Sequence, residues 1–267
     1  MNQLKKFMAE LVAQGVAIAF SGGVDSSLLL KVAAEEGKKL GVLVHAVTFE
    51  TSLHPKADLE IAAKVAEEVG AIHKVIFIDE LTKAEIIENP IDRCYHCKRF
   101  LFEELIDYTA KHNLKYAVDG TNLDDLSQYR PGIRALEELG IISPLAKLKI
   151  DKATVRKYAQ QMGLSVYNRP SAPCLATRIP YNTKLDMKVL EKIDIAEAFL
   201  KDLGFAKNRV RLHDNIIRIE IDSTDINSAV AHREDIVARF KQLGFLYITL
   251  DLEGFRSGSM DIHLQKG

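Results

Sequence analysis

Short apolar runs without helical spacing alternate with amphipathic segments through the first two thirds of the chain. Four such runs occupy residues 15–21, 42–49, 73–79 and 116–120. Three segments with apolar side chains at helical spacing occupy residues 24–36, 57–69 and 97–112. The first two end before Gly37 and Gly70, and glycine suits a helix C-terminus. Because short apolar runs are typical of buried parallel strands, the alternation predicts an α/β fold with a doubly wound parallel sheet.

The order of the predicted elements changes after residue 182. The elements expected there are helices at 186–203 and 226–243 and strands at 208–213, 216–221 and 246–252. This order favours a small α+β domain. The stretch 168–183, NRPSAPCLATRIPYNT, contains three prolines and is predicted to be a loop. We therefore predict a larger α/β domain at 1–182 and a smaller domain at 183–267 that serves substrate binding or oligomerisation.

Composition and charge limit the classes of function. The chain has 267 residues, of which 47% are hydrophobic, so it can bury a full core. No apolar stretch approaches the roughly 18 residues of a membrane span, and residues 1–15 fit an amphipathic helix rather than a signal peptide. We therefore expect a cytoplasmic protein with no membrane contact. Lys and Arg number 36 against 37 Asp and Glu, which argues against nucleic acid as a partner but leaves a local basic cleft open.

A glycine-containing loop, residues 21–27 (SGGVDSS), joins the first predicted strand to the helix that follows it. Backbone N–H groups and the helix dipole converge at such a junction and favour an anion. Glycines allow a ligand to approach the backbone closely, and an Asp there can hold a Mg²⁺ ion that bridges phosphate oxygens. The candidate phosphate-binding residues are Ser21, Gly22, Gly23, Asp25 and Ser26. No Lys follows the glycines, so the loop is not a Walker A motif, and a tight turn without a ligand is the alternative.

The three cysteines suggest metal or sulfur chemistry. Cys94 and Cys97 open a predicted helix, where the dipole and the basic residues that follow favour thiolates. In a reducing compartment a disulfide framework is not expected. Metal binding is the interpretation we favour, either zinc with Cys174 and His96 added or an iron–sulfur cluster on the three cysteines, which leaves one iron without a protein ligand. Alone, Cys174 would be a nucleophile or sulfur donor in the proline-framed loop. Two packed thiols or a redox dithiol are the remaining alternatives.

The loop sequence SGGVDSS resembles the PP-loop of the ATP pyrophosphatases, which include GMP synthetase, NAD synthetase and several thiolation enzymes. These enzymes cleave ATP between the α and β phosphates. The resemblance implies that the loop grips the departing pyrophosphate while a substrate oxygen attacks the α-phosphorus. The product would be an adenylated substrate with AMP as its leaving group.

Three further segments resemble the LarE family of ATP-dependent sulfur transferases: YAVDGTNLDDLSQYRPG at 116–132, PSAPCLATRIPYNT at 170–183 and GFRSGSMD at 254–261. The family adenylylates the carboxylates of pyridinium-3,5-biscarboxylic acid mononucleotide and converts them to thiocarboxylates, a step in nickel-pincer nucleotide cofactor synthesis. Some members sacrifice the sulfur of one cysteine, and others carry a [4Fe-4S] cluster. With Cys94, Cys97 and Cys174 all present, the resemblance implies the cluster-bearing kind, with ATP and Mg²⁺ as further cofactors and a homo-oligomer by analogy.

The remaining candidate residues are placed by position. Asp119 and Gly120 follow a predicted strand at its carboxyl end, where open α/β sheets bind ligands. Lys98, Arg130 and Arg178 could balance phosphate or adenylate charge.

Two arginines lie two residues apart on the predicted strand 208–213 and therefore point to one face. The resemblance places Arg209 and Arg211, together with Glu197, at the substrate phosphate and the catalytic region, and a solvated strand face is the alternative. The candidate catalytic residues are thus Lys98, Cys174, Glu197, Arg209 and Arg211. Two other kinds of enzyme stay open, a PP-loop tRNA thiolase and an amide-forming ligase.

Overall fold

The computed structural model describes residues 1–54, 56–83, 85–127, 131–170 and 173–256, with the backbone alone for Lys56 and Lys83. The chain divides into two compact units. The first comprises Met1–Ile86 and Asp92–Ala172, and the second comprises Ile87–Ile91 and Pro173–Gly267. Within the described ranges, no helix combines the length and the hydropathy needed to cross a membrane.

The first unit alternates strands and helices as the hydrophobic pattern predicted. Its strands are β1 (Val16–Ala19), β2 (His45–Thr51), β3 (Ile72–Ile78) and β4 (Tyr116–Val118). Its helices are α1 (Asn2–Val12), α2 (Val24–Leu40), α3 (Lys56–Val69), α4 (Glu80–Lys83), α5 (Arg93–Lys111), α6 (Leu123–Leu126), α7 (Gly132–Glu138), α8 (Pro144–Lys147) and α9 (Lys152–Gln161). The four strands are parallel in the order β3-β2-β1-β4, which confirms the predicted α/β fold.

The sheet is covered on both faces because successive side chains of a strand point to opposite sides. Val16 and Ile18 of β1 belong to a core that includes buried side chains of α1, α2 and α9. Ala17, between them, belongs to a second core with Phe102 and Leu105 of α5. Burial on both faces explains why β1 reads as an unbroken apolar run rather than an alternating one.

One of the two predicted helix caps is wrong. Helix α2 continues through Gly37 to Leu40 and ends at Gly41, whose φ of 70° is the left-handed conformation of a helix cap. Gly37 has a packing role, because a Cβ there would lie 2.5 Å from the carbonyl oxygen of Val42. Gly70 does follow α3 with a φ of 73°, as predicted.

The second unit is the predicted small α+β unit. Its elements are a 3-10 turn (Leu175–Arg178), α10 (Met187–Asp202), β5 (Asn208–His213), β6 (Ile216–Ile221), a 3-10 turn (Ser223–Asp225), α11 (Ile226–Ala231), α12 (Arg233–Gln242) and β7 (Tyr247–Leu250). β6 pairs antiparallel with β5 and parallel with β7. The single helix predicted over 226–243 is two helices, because the chain leaves helical geometry at His232, with φ −90° and ψ 14°.

The structure divides the chain before the predicted 182/183 boundary. Residues 173–182 belong to the second unit because their polar groups bond within it. Arg211 Nη1, for example, donates to the Thr177 carbonyl at 2.6 Å. The short segment 87–91 joins the same unit through Asn89, whose side-chain Nδ2 donates to the carbonyls of Ile179 at 3.0 Å and Pro180 at 2.8 Å.

Candidate active site

The phosphate loop lies at the carboxyl end of β1, one of the two inner strands of the sheet, and leads directly into α2. Gly23 caps α2 in an extended conformation and no side chain caps the helix N-terminus, so its first amides are available to a ligand. Gly22 has a φ of 67°, and a Cβ there would lie 2.9 Å from the backbone nitrogen of Ala62. The loop therefore requires glycine at 22 both for its conformation and for its packing against α3.

The loop is held by weak internal hydrogen bonds. Ser26 Oγ donates to the Gly23 carbonyl at 3.2 Å and accepts from Ser21 N at 3.4 Å, and Gly23 N donates to Ser21 Oγ at 3.3 Å. These distances are at the long end of the normal range. The oxygens of a bound phosphate can therefore replace them at small cost. Ser27, by contrast, is fully buried, and its Oγ has no hydrogen-bond partner among the described residues.

Both carboxylate oxygens of Asp25 are engaged. Oδ1 accepts from Asn122 Nδ2 at 3.0 Å, and Oδ2 forms an ion pair with Lys152 Nζ. Asn122 is itself fixed, because its side chain caps α6 in a reciprocal capping box with Asp125. A Mg²⁺ ion on Asp25 would compete with Lys152 for this carboxylate. Sequence analysis missed Lys152, because it lies far from the loop along the chain and belongs to no motif.

Asp119, at the carboxyl end of β4, accepts hydrogen bonds from three side chains. Its carboxylate, 4% exposed, accepts from Thr121 Oγ1 and Ser143 Oγ at 2.5 Å each and pairs with Lys98 Nζ at 3.4 Å. Gly120 packs directly on the loop, since a Cβ there would lie 3.0 Å from Ser26 N. The structure thus places the predicted residue Gly120 against the phosphate loop and pairs two other predicted residues, Lys98 and Asp119, beside it.

A second basic residue that sequence analysis missed contacts the loop itself. Arg169 Nη1 donates to the Gly22 carbonyl at 3.0 Å, and its Nη2 pairs with Asp58 in the first turn of α3. The segment that carries Arg169 is fixed from α9, because Arg156 donates to the carbonyls of Tyr167 at 2.9 Å and Arg169 at 3.0 Å. The predicted residue Arg130 lies outside the described residues.

Cys94 and Cys97 lie in the first turn of α5, as predicted, and their spacing of three places them on one side of the helix. α7 packs against this turn through Gly132, where a Cβ would lie 3.2 Å from the Cys94 carbonyl oxygen. Between the cysteines, Tyr95 donates its hydroxyl to Glu138 Oε2 at 2.6 Å and ties the turn to α7.

Cys174 belongs to the second unit, where it precedes the 3-10 turn. None of the three cysteines forms a disulfide. In the part of the chain that the structure describes, no group of three or more His, Cys, Asp or Glu side chains is arranged to hold a metal ion.

A buried ion pair holds the Cys174 turn within the second unit. Arg178 donates from Nε and Nη2 to the two oxygens of Glu197, each at 2.8 Å, and from Nη1 to the Cys174 carbonyl at 3.2 Å. Glu197 Oε1 also accepts from Val210 N at 2.9 Å. Both side chains are almost completely buried. The predicted residues Arg178 and Glu197 are therefore partners of each other.

The two arginines of β5 differ in their partners. Arg211 makes two bonds to the buried Glu220, at 2.7 and 3.1 Å. Arg209 donates to the Asn208 carbonyl at 2.6 Å and lies over the Phe255 ring, 5.2 Å from its centre, with no carboxylate partner among the described residues. Burial, reinforced by the positive charge of Arg178, lowers the pKa of Arg209 to about 10, so it stays protonated at neutral pH. Arg209 is thus a half-buried cation suited to an anionic ligand.

Comparison with known proteins relates this chain to enzymes that use ATP. A family model described as a PP-loop domain matches residues 1–88. The pyridinium-3,5-bisthiocarboxylic acid mononucleotide synthase of Lactiplantibacillus plantarum is 35% identical over 253 residues, covering 95% of this chain and 91% of the relative. The chain belongs to the LarE family. As members of that family depend on ATP, it is an ATP-dependent enzyme, and the resemblance drawn from its motifs is confirmed.

Two other relatives show the range of the similarity. An uncharacterised protein of Synechocystis sp. is 38% identical over 268 residues, covering 100% of this chain and 98% of the relative. An NH(3)-dependent NAD(+) synthetase of Staphylothermus marinus is 26% identical over 223 residues, covering 80% and 78%. Similarity therefore extends over both units in the synthase and in the Synechocystis protein, and is weaker in an enzyme whose name specifies ammonia.

Proposed function

We propose that this LarE-family enzyme adenylylates the carboxylates of pyridinium-3,5-biscarboxylic acid mononucleotide and converts them to thiocarboxylates, for nickel-pincer nucleotide cofactor synthesis. The observation that carries the proposal is the 35% identity to the bisthiocarboxylic acid mononucleotide synthase over 95% of this chain. That similarity extends through both units, so it supports the whole activity and not ATP binding alone.

In the first half-reaction, a carboxylate oxygen of the substrate attacks the α-phosphorus of ATP. The bond from that phosphorus to the bridging oxygen breaks, and pyrophosphate leaves with the electron pair. The amides at the start of α2 and the ammonium groups of Lys98 and Lys152 supply hydrogen bonds and positive charge for the departing pyrophosphate. Asp25 would hold Mg²⁺, which neutralises phosphate charge when bound.

In the second half-reaction, a sulfur nucleophile adds to the carboxyl carbon of the adenylate, and AMP leaves with the oxygen. The family resemblance implies that Cys94, Cys97 and Cys174 would hold a [4Fe-4S] cluster, and thiolates are the usual ligands of such a cluster. When bound, the cluster would supply an iron that is open to carry sulfide. Without a cluster, the Cys174 thiol would itself add to the carbon, and loss of its α-proton with cleavage of the Cβ–S bond would leave dehydroalanine.

The contacts of the second unit support a division of roles. Arg209, which has a free charge, is proposed to bind the phosphate of the mononucleotide substrate. Arg211 and Glu197 are proposed to hold that region in place, because both are saturated by buried ion pairs. Arg178 connects Glu197 to the Cys174 turn and is proposed to fix the position of that cysteine.

Mass spectrometry of the acceptor tests the proposal. The protein is incubated with Mg²⁺, ATP and the pyridinium dicarboxylate nucleotide. Parallel reactions offer transfer RNA as the alternative acceptor or ammonia as the alternative nucleophile. We expect AMP, pyrophosphate and a product heavier by the exchange of oxygen for sulfur. Release of ADP would refute adenylylation. Sulfur found in transfer RNA would refute the acceptor, and an amide formed with ammonia would refute sulfur as the nucleophile.

Cysteine variants test the sulfur donor separately. Cys94→Ala should abolish the brown colour of anaerobically prepared protein and multiple turnover, if the cluster is the donor. Cys174→Ala should abolish sulfur transfer by either route. A colourless wild-type protein that performs one turnover and converts Cys174 to dehydroalanine, detected by peptide mass, would refute the cluster and leave the sacrificial route.

A further inference from the structure

We propose that Arg169 is a positioning residue that fixes the peptide between Gly22 and Gly23, so that the Gly23 N–H stays directed into the phosphate site. Neither the loop motif nor the cysteine motif includes this residue. It lies 18% exposed, and its only polar contacts among the described residues are to the loop, to Asp58 and through its backbone.

The geometry of one peptide bond carries the inference. In a planar trans peptide the C=O and the N–H point in opposite directions. Arg169 Nη1 holds the Gly22 carbonyl at 3.0 Å, so the Gly23 N–H must point away from Arg169. It does so towards Ser21 Oγ, at 3.3 Å. The bond to Arg169 therefore keeps the Gly23 N–H, rather than the Gly22 carbonyl, directed towards the interior of the loop.

A peptide between two glycines needs such a restraint. Glycine occupies positive and negative φ with similar ease, so rotation of this peptide is opposed by little in the backbone itself. Rotation would turn the Gly22 carbonyl oxygen towards a bound phosphate and replace an attraction by a repulsion. The weak 3.3 Å bond to Ser21 cannot prevent this alone. The guanidinium of Arg169 supplies the missing restraint.

Arg169 is itself anchored, and its charge is already neutralised. Its Nη2 pairs with Asp58, and its own carbonyl accepts from Arg156 at 3.0 Å. Asp58 belongs to α3, the helix that Gly22 contacts at Ala62. Because Nη1 is engaged by the Gly22 carbonyl and Nη2 by Asp58, we assign the contribution of Arg169 to the orientation of the amide rather than to a direct contact with phosphate.

The inference rests on the proposed adenylylation only in taking pyrophosphate as the ligand of the loop. Calorimetry with Mg²⁺–pyrophosphate and, separately, AMP tests it without any sulfur acceptor, so a failure of the proposed thiolation would not affect the result. We expect Arg169→Gln to weaken pyrophosphate binding about tenfold, or about 1.4 kcal/mol, and to leave AMP binding unchanged. Arg169→Lys, which cannot reach both the Gly22 carbonyl and Asp58, should have a pyrophosphate affinity between those of the wild type and Arg169→Gln. The matched control is Lys157→Gln, an exposed position of α9.

A spectroscopic readout separates orientation from a general structural effect. In protein labelled with ¹⁵N-glycine, the Gly23 amide, assigned from its loss in Gly23→Ala, should shift on addition of pyrophosphate in the wild type and not in Arg169→Gln. Should Arg169→Gln fail to fold, Asp58→Asn, which releases the guanidinium, is expected to weaken pyrophosphate binding in the same direction. Unchanged pyrophosphate affinity, or an equal loss for pyrophosphate and AMP with a lower melting temperature, would overturn the proposal.

Discussion

Removal of the Glu197 carboxylate should destabilise the second unit without touching the reacting atoms. Glu197, 3% exposed, accepts two bonds from Arg178 at 2.8 Å and one from Val210 N at 2.9 Å. Glu197→Ala would leave a buried guanidinium without its counter-charge and a buried amide without its acceptor. Loss of one partner of a buried pair costs about 3–5 kcal/mol. We expect a loss of this size in the free energy of unfolding.

Urea unfolding of the full chain measures this effect, with Asp202→Asn, an exposed position on the same helix, as the control expected to stay within about 0.5 kcal/mol of the parent. Joint replacement of Arg178 and Glu197 by Met should recover part of the loss, because no unpaired charge remains. If Glu197→Gln kept the parental stability but strongly slowed adenylylation and shifted the pH profile of the residual activity, the carboxylate would be a proton acceptor and the structural reasoning would be refuted.

Three further changes have expected outcomes. Lys152→Met should raise the KM for Mg²⁺–ATP about tenfold or more, since a hydrogen bond to a charged group contributes about 1.5–3 kcal/mol; an unchanged KM would exclude a contact with phosphate. Gly22→Ala should abolish ATP binding, whereas Gly70→Ala, with a similar φ and nothing within 4 Å of the added Cβ, should cost only stability; equal effects on ATP binding would contradict the packing argument. Burial lowers the pKa of His45 in the folded state. The contribution of His45 to stability is therefore present above the ordinary pKa near 6.5 and is lost as the pH falls below it. The free energy of unfolding of His45→Gln should depend less on pH in that range, and an unchanged pH dependence would contradict this.

The sequence predicts the framework of this protein well because its signals are local. Apolar runs bounded by helical segments identified the parallel strands, and the β5 and β6 ranges match the expected ones residue for residue. The error at Gly37 has a non-local cause. Its glycine is required by the returning chain at Val42, and a contact of that kind leaves no periodic pattern in the sequence.

The candidate site divides in the same way. The glycines and serines of the loop are a contiguous motif and could be found from the sequence, as could Asp119 and Gly120 at the end of a strand. Lys152 and Arg169 could not, because each reaches the loop from a distant element and neither belongs to a spaced motif. The sequence also could not show that Arg178 and Glu197 saturate each other, since pairing is a property of the folded core.

The contacts around the loop imply that ATP binds by exchange of partners rather than by simple addition of charge. Among the described residues, three basic side chains at the loop or beside it already form ion pairs with carboxylates: Asp25–Lys152, Asp119–Lys98 and Asp58–Arg169. These three pairs carry no net charge before the ligand binds. Phosphate oxygens must compete with Asp25 for Lys152, and a Mg²⁺ ion on Asp25 would compensate the carboxylate that Lys152 leaves. Binding of the nucleotide and binding of the metal should consequently be coupled, each strengthening the other.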